Sequence, residues 1–144
     1  MQLREVMTPN VEVIHPDAPL QEAAALMKAL DVGSLPVSDG NQMQGMLTDR
    51  DITIRATAEG RDPRQTRVRE IMSSDVVYCF EDQPVEEGAR LIEERQIRRL
   101  PIVNRGRQLV GIVALGDLAL ELSNDQKVGQ VLEAISEPAQ PQRR

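Results

Sequence analysis

Thr48 and Asp51 are the residues whose types and spacing could do chemistry in this chain. They close the stretch Gly45-Met46-Leu47-Thr48-Asp49-Arg50-Asp51, where strand-forming residues give way at Thr48 to a run suited to a helix. A hydroxyl and a carboxylate so spaced stand about one helical turn, roughly 3.6 residues, apart. As an N-cap, Thr48 would accept a hydrogen bond from the amide of Asp51, close to a capping box, and both aspartates would favour the positive end of the helix dipole. The same geometry could serve a ligand. Free amides at a helix start receive an anion, and a carboxylate that accepts two hydrogen bonds suits a ribose diol. Both readings fit the residues.

Little else invites catalysis. His15 is the single histidine and stands beside Pro16 in a turn, without partners for a metal cluster or a catalytic triad. Gly40-Asn41-Gln42-Met43-Gln44-Gly45 has the spacing of half a phosphate-binding loop, but Met46-Leu47 follows where lysine and a hydroxyl residue belong. No enzyme and no metal site is expected. The formal charge of −6 and the near absence of aromatics, Tyr78 and Phe80 alone, argue against a nucleic-acid partner. Of 17 basic residues only Lys28 and Lys127 are lysines. Arginine suits bidentate recognition of carboxylate or phosphate, which leaves room for a local anion site. The lone Cys79, inside the apolar run Val76–Phe80, reads as a buried structural thiol in a reducing compartment. Arg4 and Glu5 interrupt the N-terminus before any apolar stretch, and Leu109–Leu115 is too short to span a bilayer. The expectation is a cytoplasmic protein with no membrane partner.

The elements that position Thr48 and Asp51 occur twice. At one fixed offset Arg4-Glu5-Val6-Met7 falls on Arg69-Glu70-Ile71-Met72, Pro19 on Pro84, Leu26 on Leu91, and Leu35-Pro36-Val37 on Leu100-Pro101-Ile102. One residue later in the second copy, Gly45 meets Gly111 and Asp51 meets Asp117. Each copy predicts a short strand (Val11–Ile14, Val76–Phe80) and then a helix. The first helix is opened by Pro19 with Leu20, Ala23, Ala24, Met27 and Leu30 on its apolar face; the second carries Val85, Gly88, Ala89 and Ile92. Two further strands follow in each copy, Ser34–Val37 with Met43–Leu47 and Leu100–Val103 with Gln108–Ala114, joined by the turns Ser38–Asn41 and Asn104–Gly106. A second helix begins near Asp49 and near Gly116. The order is β-α-β-β-α, twice. Boundaries fall at 1–58 for the first copy, 59–66 for a polar linker and 67–122 for the second copy. Residues 123–144 would form an amphipathic helix on Val128, Val131, Leu132 and Ile135 and a tail ended by Pro138 and Pro141. Each small sheet would leave one face bare, so the two copies are expected to fold as one body, stacked sheet to sheet.

Two such units, each with Leu-Pro-hydrophobic in a middle strand and the first with Gly-x-x-Thr-x-x-Asp near its end, resemble the cystathionine-β-synthase (CBS) domain, whose tandem pairs are called Bateman modules. The resemblance covers about residues 1–122 and implies a mixed α+β fold with pseudo-twofold symmetry. Thr48–Ile52 with its leading Leu47, the segment Gln96–Pro101 and the extra C-terminal helix are similar to the stand-alone hypoxic-response protein group. The resemblance further implies an adenosine ligand (AMP, ADP, ATP or S-adenosylmethionine) between repeats, with no cofactor required. Asp51 would hold the ribose and Thr48 a phosphate or the ribose. The backbone of Asn10, Val11, Gly33, Ser34, Leu35 and Pro36 would frame the adenine, and Arg50, Arg98 and Arg99 would neutralise phosphate. In the second copy Ala114 replaces Thr48, so that helix loses its cap, and a weaker site would rest on Asp117, Ser73 and Ile97 with Arg98 and Arg99. The family also implies a homodimer formed through helices, here with apolar faces around Leu26, Leu30, Leu91 and Leu118, and a further protein partner of unknown identity. The function expected is a regulatory module that senses an adenine nucleotide; the alternative is a dimeric interaction module with vestigial ligand sites.

Overall fold

A computed structural model describes residues 1–121; the helix expected within 123–144 lies outside the described residues. A 3₁₀ turn at Leu3–Glu5 precedes β1 (Thr8–Pro9), α1 (Leu20–Leu30), β2 (Ser34–Ser38) and β3 (Met43–Thr48). Helix α2 (Asp49–Asp51) runs on as a π-helix (Ile52–Thr57) and is followed by α3 (Val68–Ile71), β4 (Cys79–Phe80), α4 (Val85–Arg95), β5 (Arg99–Val103), β6 (Leu109–Ala114) and α5 (Leu115–Glu121). The fold is mixed α+β, as the sequence indicates.

The two long helices end alike. Asp31 closes α1 at φ 55° and Gln96 closes α4 at φ 54°, the left-handed backbone that terminates helices. On α4 the expected Val85, Gly88, Ala89 and Ile92 are all buried. On α1 only Leu20, Ala23 and Met27 are buried. Ala24 lies outside that face, and Leu30, in the last turn before the left-handed Asp31, is 42% exposed.

The first strand of each copy is shorter than the sequence predicts. Ile14 makes a single parallel bridge to Val37, its amide donating to the Pro36 carbonyl and its carbonyl accepting from Ser38, each at 3.0 Å. To continue the ladder toward Val11, residue 36 would have to donate to the carbonyl of Glu12, and Pro36 has no N–H. Pro101 holds the equivalent place, and β4 is limited to Cys79–Phe80, paired in parallel with Ile102 and Val103. The Leu-Pro-hydrophobic motif therefore stops the strand beside it.

The chain forms two compact units, and they cut across the repeats. One, here the Thr48 unit, is Val11–Val76 with Gly106–Leu109; the other, the Asp117 unit, takes Met1–Asn10, Val77–Arg105 and, among the described residues, 110–121. The repeat boundaries read from sequence describe the copies, whereas the compact units have exchanged their leaders. In the Asp117 unit, Leu3 is fully buried among Cys79, Val85, Ala89, Ile92 and Leu100, and the amides of Leu3 and Arg4 donate to the carbonyls of Gln83 and Glu81 at 2.9 Å. In the Thr48 unit, Val68 and Ile71 join Leu20, Val37 and Leu47, with the Val68 and Arg69 amides donating to Ala18 and Pro16 at 2.9 and 2.8 Å. Burying Leu3 alone is worth roughly 1.5–3 kcal/mol, which accounts for the leader's attachment to the unit that supplies its pocket.

Each leader lies along the last strand of its unit, β1 against β6 at Thr8↔Ile112 and Ser73 against β3 at Met46. The approach is close. A Cβ on Gly111 would stand 2.5 Å from Met7 Sδ and 2.9 Å from the Thr8 carbonyl oxygen; one on Gly45 would stand 2.6 Å from the Ser73 carbonyl oxygen and 2.9 Å from Met72 Sδ. Glycine is needed at both places for space rather than for a left-handed backbone.

Candidate functional site

In the Thr48 unit, antiparallel pairing of β2 with β3 sets Ser34 opposite Thr48. The Gly33 carbonyl accepts the Asp49 amide at 2.9 Å, which ties the start of β2 to the start of α2. The capping box expected as one of two readings is present and complete: the Asp51 amide donates to Thr48 Oγ1 and the Thr48 amide to Asp51 Oδ2, each at 3.0 Å. Neither residue is exhausted by it. The Thr48 hydroxyl keeps its own proton to donate, and Asp51 keeps Oδ1 as an acceptor. Both side chains are half-buried, so these atoms belong to a partly desolvated corner.

The other residues assigned to this site divide. Val11 is half-buried in the same unit, whereas Asn10, exposed and at φ 56°, belongs to the Asp117 unit. The Leu35 side chain is 2% exposed within the core, its backbone lies opposite Leu47 in the β2–β3 ladder, and the Pro36 carbonyl is engaged by Ile14, so these groups are taken up within the unit. Arg50 is exposed and carries no ion pair among the described residues. Two residues here, Asp49 and Gly45, stand in the motif but were given no place in the site from sequence. The Asp49 carboxylate lies 3.2 Å from where a Cβ on Gly33 would be, so a side chain there would push that carboxylate aside by a few tenths of an ångström. Gly45 admits the leader, and its match with Gly111 in the repeat was the signal available.

The Asp117 unit repeats the frame without the hydroxyl. The Leu115 amide donates to the Arg98 carbonyl at 3.1 Å, the counterpart of Asp49 and Gly33, and the Ala114 amide donates to Asp117 Oδ2 at 2.9 Å. Half of the capping box thus survives: the expected loss of the hydroxyl cap stands, while the Asp117 carboxylate still accepts the Ala114 amide. Ile97 is half-buried against that unit's core, and Arg98 and Arg99 are exposed. Ser73 is not with them. It lies in the Thr48 unit, exchanging amide-to-carbonyl bonds of 2.9 Å with Met46 in both directions.

Outside these corners, His15 is exposed, and its Nδ1 accepts the Asp17 amide at 3.0 Å. Cys79 is buried; desolvation first, and the Glu87 carboxylate second, push its thiol up to about 11. Among the described residues no group of three His, Cys, Asp or Glu side chains could hold a metal ion, and no helix is long and apolar enough to cross a membrane. Leu118 is 1% exposed in the Asp117 unit's core, so it is removed from the apolar surface assigned to a dimer. Leu26 and Leu91 are half-buried against their cores, and Leu30 is the exposed member of that set.

Two repeated units that exchange leaders, each closing on a strand-to-helix corner with an aspartate, define a tandem CBS architecture. Residues 3–56 and 68–124 each match the family model of the CBS domain, and the chain belongs to that family as a pair. The CBS domain-containing protein YhcV of Bacillus subtilis is 46% identical over 134 residues, 93% of this chain and 94% of the relative. Hypoxic response protein 1 of Mycobacterium tuberculosis is 35% identical over 136 residues, 94% of each chain. A crystal structure of Hypoxic Response Protein I with two coordinated zinc ions superposes with a TM-score of 0.77 at 34% identity, covering 85% of this chain and 99% of that one. CBSX2, solved in complex with AMP, superposes with a TM-score of 0.71 at 25% identity over 83% of this chain and 94% of its own.

Proposed function

We propose that this CBS pair is a non-catalytic regulatory module that senses an adenine nucleotide, or S-adenosylmethionine, through the Thr48 corner. The observation that carries the reading is the unspent capacity of an intact capping box. The Thr48 hydroxyl and Asp51 Oδ1 are held about one turn apart by bonds that leave both available. A ribose hydroxyl pair donates to a carboxylate, and the Thr48 hydroxyl can donate to phosphate or ribose oxygen. Gly33 and Ser34 lie beside that corner, and Arg50 can approach phosphate from solvent. The AMP bound to CBSX2 supports an adenosine ligand. With Ala114 in place of the hydroxyl, the Asp117 corner is the weaker of the two. The module acts in the cytoplasm, where its one cysteine stays a free thiol, and the exposed Leu30 supports pairing into a homodimer.

The test is a thermal-shift screen with AMP, ADP, ATP, S-adenosylmethionine and adenosine. A ligand at 100 times its Kd adds about 2.7 kcal/mol of stability. Asp51→Ala should weaken binding by about 10- to 150-fold, the loss of roughly 1.5–3 kcal/mol from a hydrogen bond to a charged group. Unchanged affinity would remove Asp51 from the site. No shift with any adenosine compound favours the second reading, a dimeric interaction module with vestigial sites, for which the missing hydroxyl at Ala114 speaks.

A further inference from the structure

We propose that Met7 and Met72 are a matched pair of oxidation sites, and that conversion of their thioethers to sulfoxides by a hydroperoxide releases the leaders from the two units. Both stand at the same place in the repeat, at the end of Arg-Glu-hydrophobic-Met. Both are half-buried, packed against the edge of their unit's core. Each sulfur fills the space left by a glycine of the adjoining strand, Gly111 for Met7 and Gly45 for Met72. Met27, by contrast, is 6% exposed inside the core, and Met1 is 61% exposed.

The step needs only the peroxide. The thioether sulfur attacks one peroxide oxygen and the O–O bond breaks. That oxygen stays on sulfur, which loses two electrons, and the peroxide leaves reduced to an alcohol or water. The product is polar and larger, and it is a poor fit for its surroundings. Where the Gly45 and Gly111 Cβ atoms would stand, the nearest polar atoms are the Ser73 and Thr8 carbonyl oxygens, which offer the sulfoxide no donor. The nearby amides of Met46 and Ser73 are already bonded to each other's carbonyls. A sulfoxide at 72 must displace the leader or take one of those bonds, and one at 7 must push β1 away from β6. The leaders also carry Leu3, Val68 and Ile71 into the cores, so each latch holds more than its own contact.

The experiment treats the full chain with hydrogen peroxide, maps sulfoxides by peptide mass spectrometry, and follows unfolding temperature and amide exchange at Leu3, Arg4, Met46 and Ser73. Met1 serves as the exposed control. The expected result is a fall of several degrees in unfolding temperature and at least ten-fold faster exchange at those amides, reversed by methionine sulfoxide reductase with a thiol reductant. The double variant Met7→Leu/Met72→Leu, close in volume, should resist peroxide although Met43 and Met46 remain. Sulfoxides at 7 and 72 without a change in exchange would overturn the proposal, as would a double variant as sensitive as the original chain. So would Met7 and Met72 that stay reduced after Met1 is fully oxidised. The exchange measurement needs no substitution, so a poorly folding variant leaves the outcome decidable.

Discussion

The Thr48 hydroxyl has a structural duty and a spare proton, and its absence at Ala114 separates the two. Introducing it by Ala114→Thr should complete the second capping box by offering the Asp117 amide an acceptor. A gain of about 0.5–2 kcal/mol is expected in urea unfolding, with a similar loss for Thr48→Ala. Should Ala114→Thr bring no gain, the Asp117 amide is satisfied by other means. Cys79 gives a second prediction at this scale. Its thiol, ordinarily near 9.0, is pushed up to about 11 by burial. The folded state therefore holds the proton more tightly than the unfolded chain. That contribution is fully present below pH 9.0 and is lost as pH rises through about 11, by roughly 2–3 kcal/mol at 1.36 kcal/mol per pH unit. Unfolding temperatures measured from pH 8 to 11 should fall faster for the native chain than for Cys79→Ala, and alkylation of the native protein at neutral pH should be slow. Of the chemistry at the Thr48 corner, the capping box was legible in the sequence because it depends on residues three apart. The Asp49 carboxylate over Gly33 was not, because it depends on how a helix start meets a distant strand end.

At the level of strands and helices the glycines at 45 and 111 are the sensitive points. A methyl group at either would meet a backbone carbonyl that cannot swing away. Gly45→Ala and Gly111→Ala should each cost about 1–3 kcal/mol by overpacking, a fall of roughly 2–4 °C per kcal/mol at this size. Calorimetry on the two variants checks this, and neutral substitutions would mean that the leaders sit less tightly than described. The long helices and the inner strands were readable from periodicity, since Leu20, Ala23 and Met27 or the run Leu100–Val103 face the core for local reasons. The outer strands were over-read. Val11–Ile14 has strand-forming residues, but pairing depends on a donor in the neighbouring strand, and Pro36 withholds it.

Across the whole chain, the repeat announced two copies but not the exchange of their leaders. The match of Arg4–Met7 with Arg69–Met72 is blind to which copy each segment packs on. The exchange predicts a fragment result. A chain cut once within Gly60–Arg64 should stay folded as a two-fragment complex. Neither fragment alone should give dispersed amide NMR signals, since residues 1–60 lack Val68 and Ile71 and the rest lack Leu3. Independent folding of either fragment would show that the leaders decorate the units rather than complete them.

The exchange also sets an order of events during synthesis. Residues up to Val76 supply nearly all of the Thr48 unit, so that unit can close while the ribosome is still making the rest. Met1–Asn10 leave the ribosome ahead of that unit yet have no place to bind until the segment from Val77 through β6 has followed. Leu3, fully buried in the finished fold, is thus made long before Cys79, Val85 and Leu100 and leaves water only once they are in place. A nascent chain stalled before residue 100 would carry Met1–Asn10 unattached, with Leu3 open to chaperones and proteases for the length of the pause.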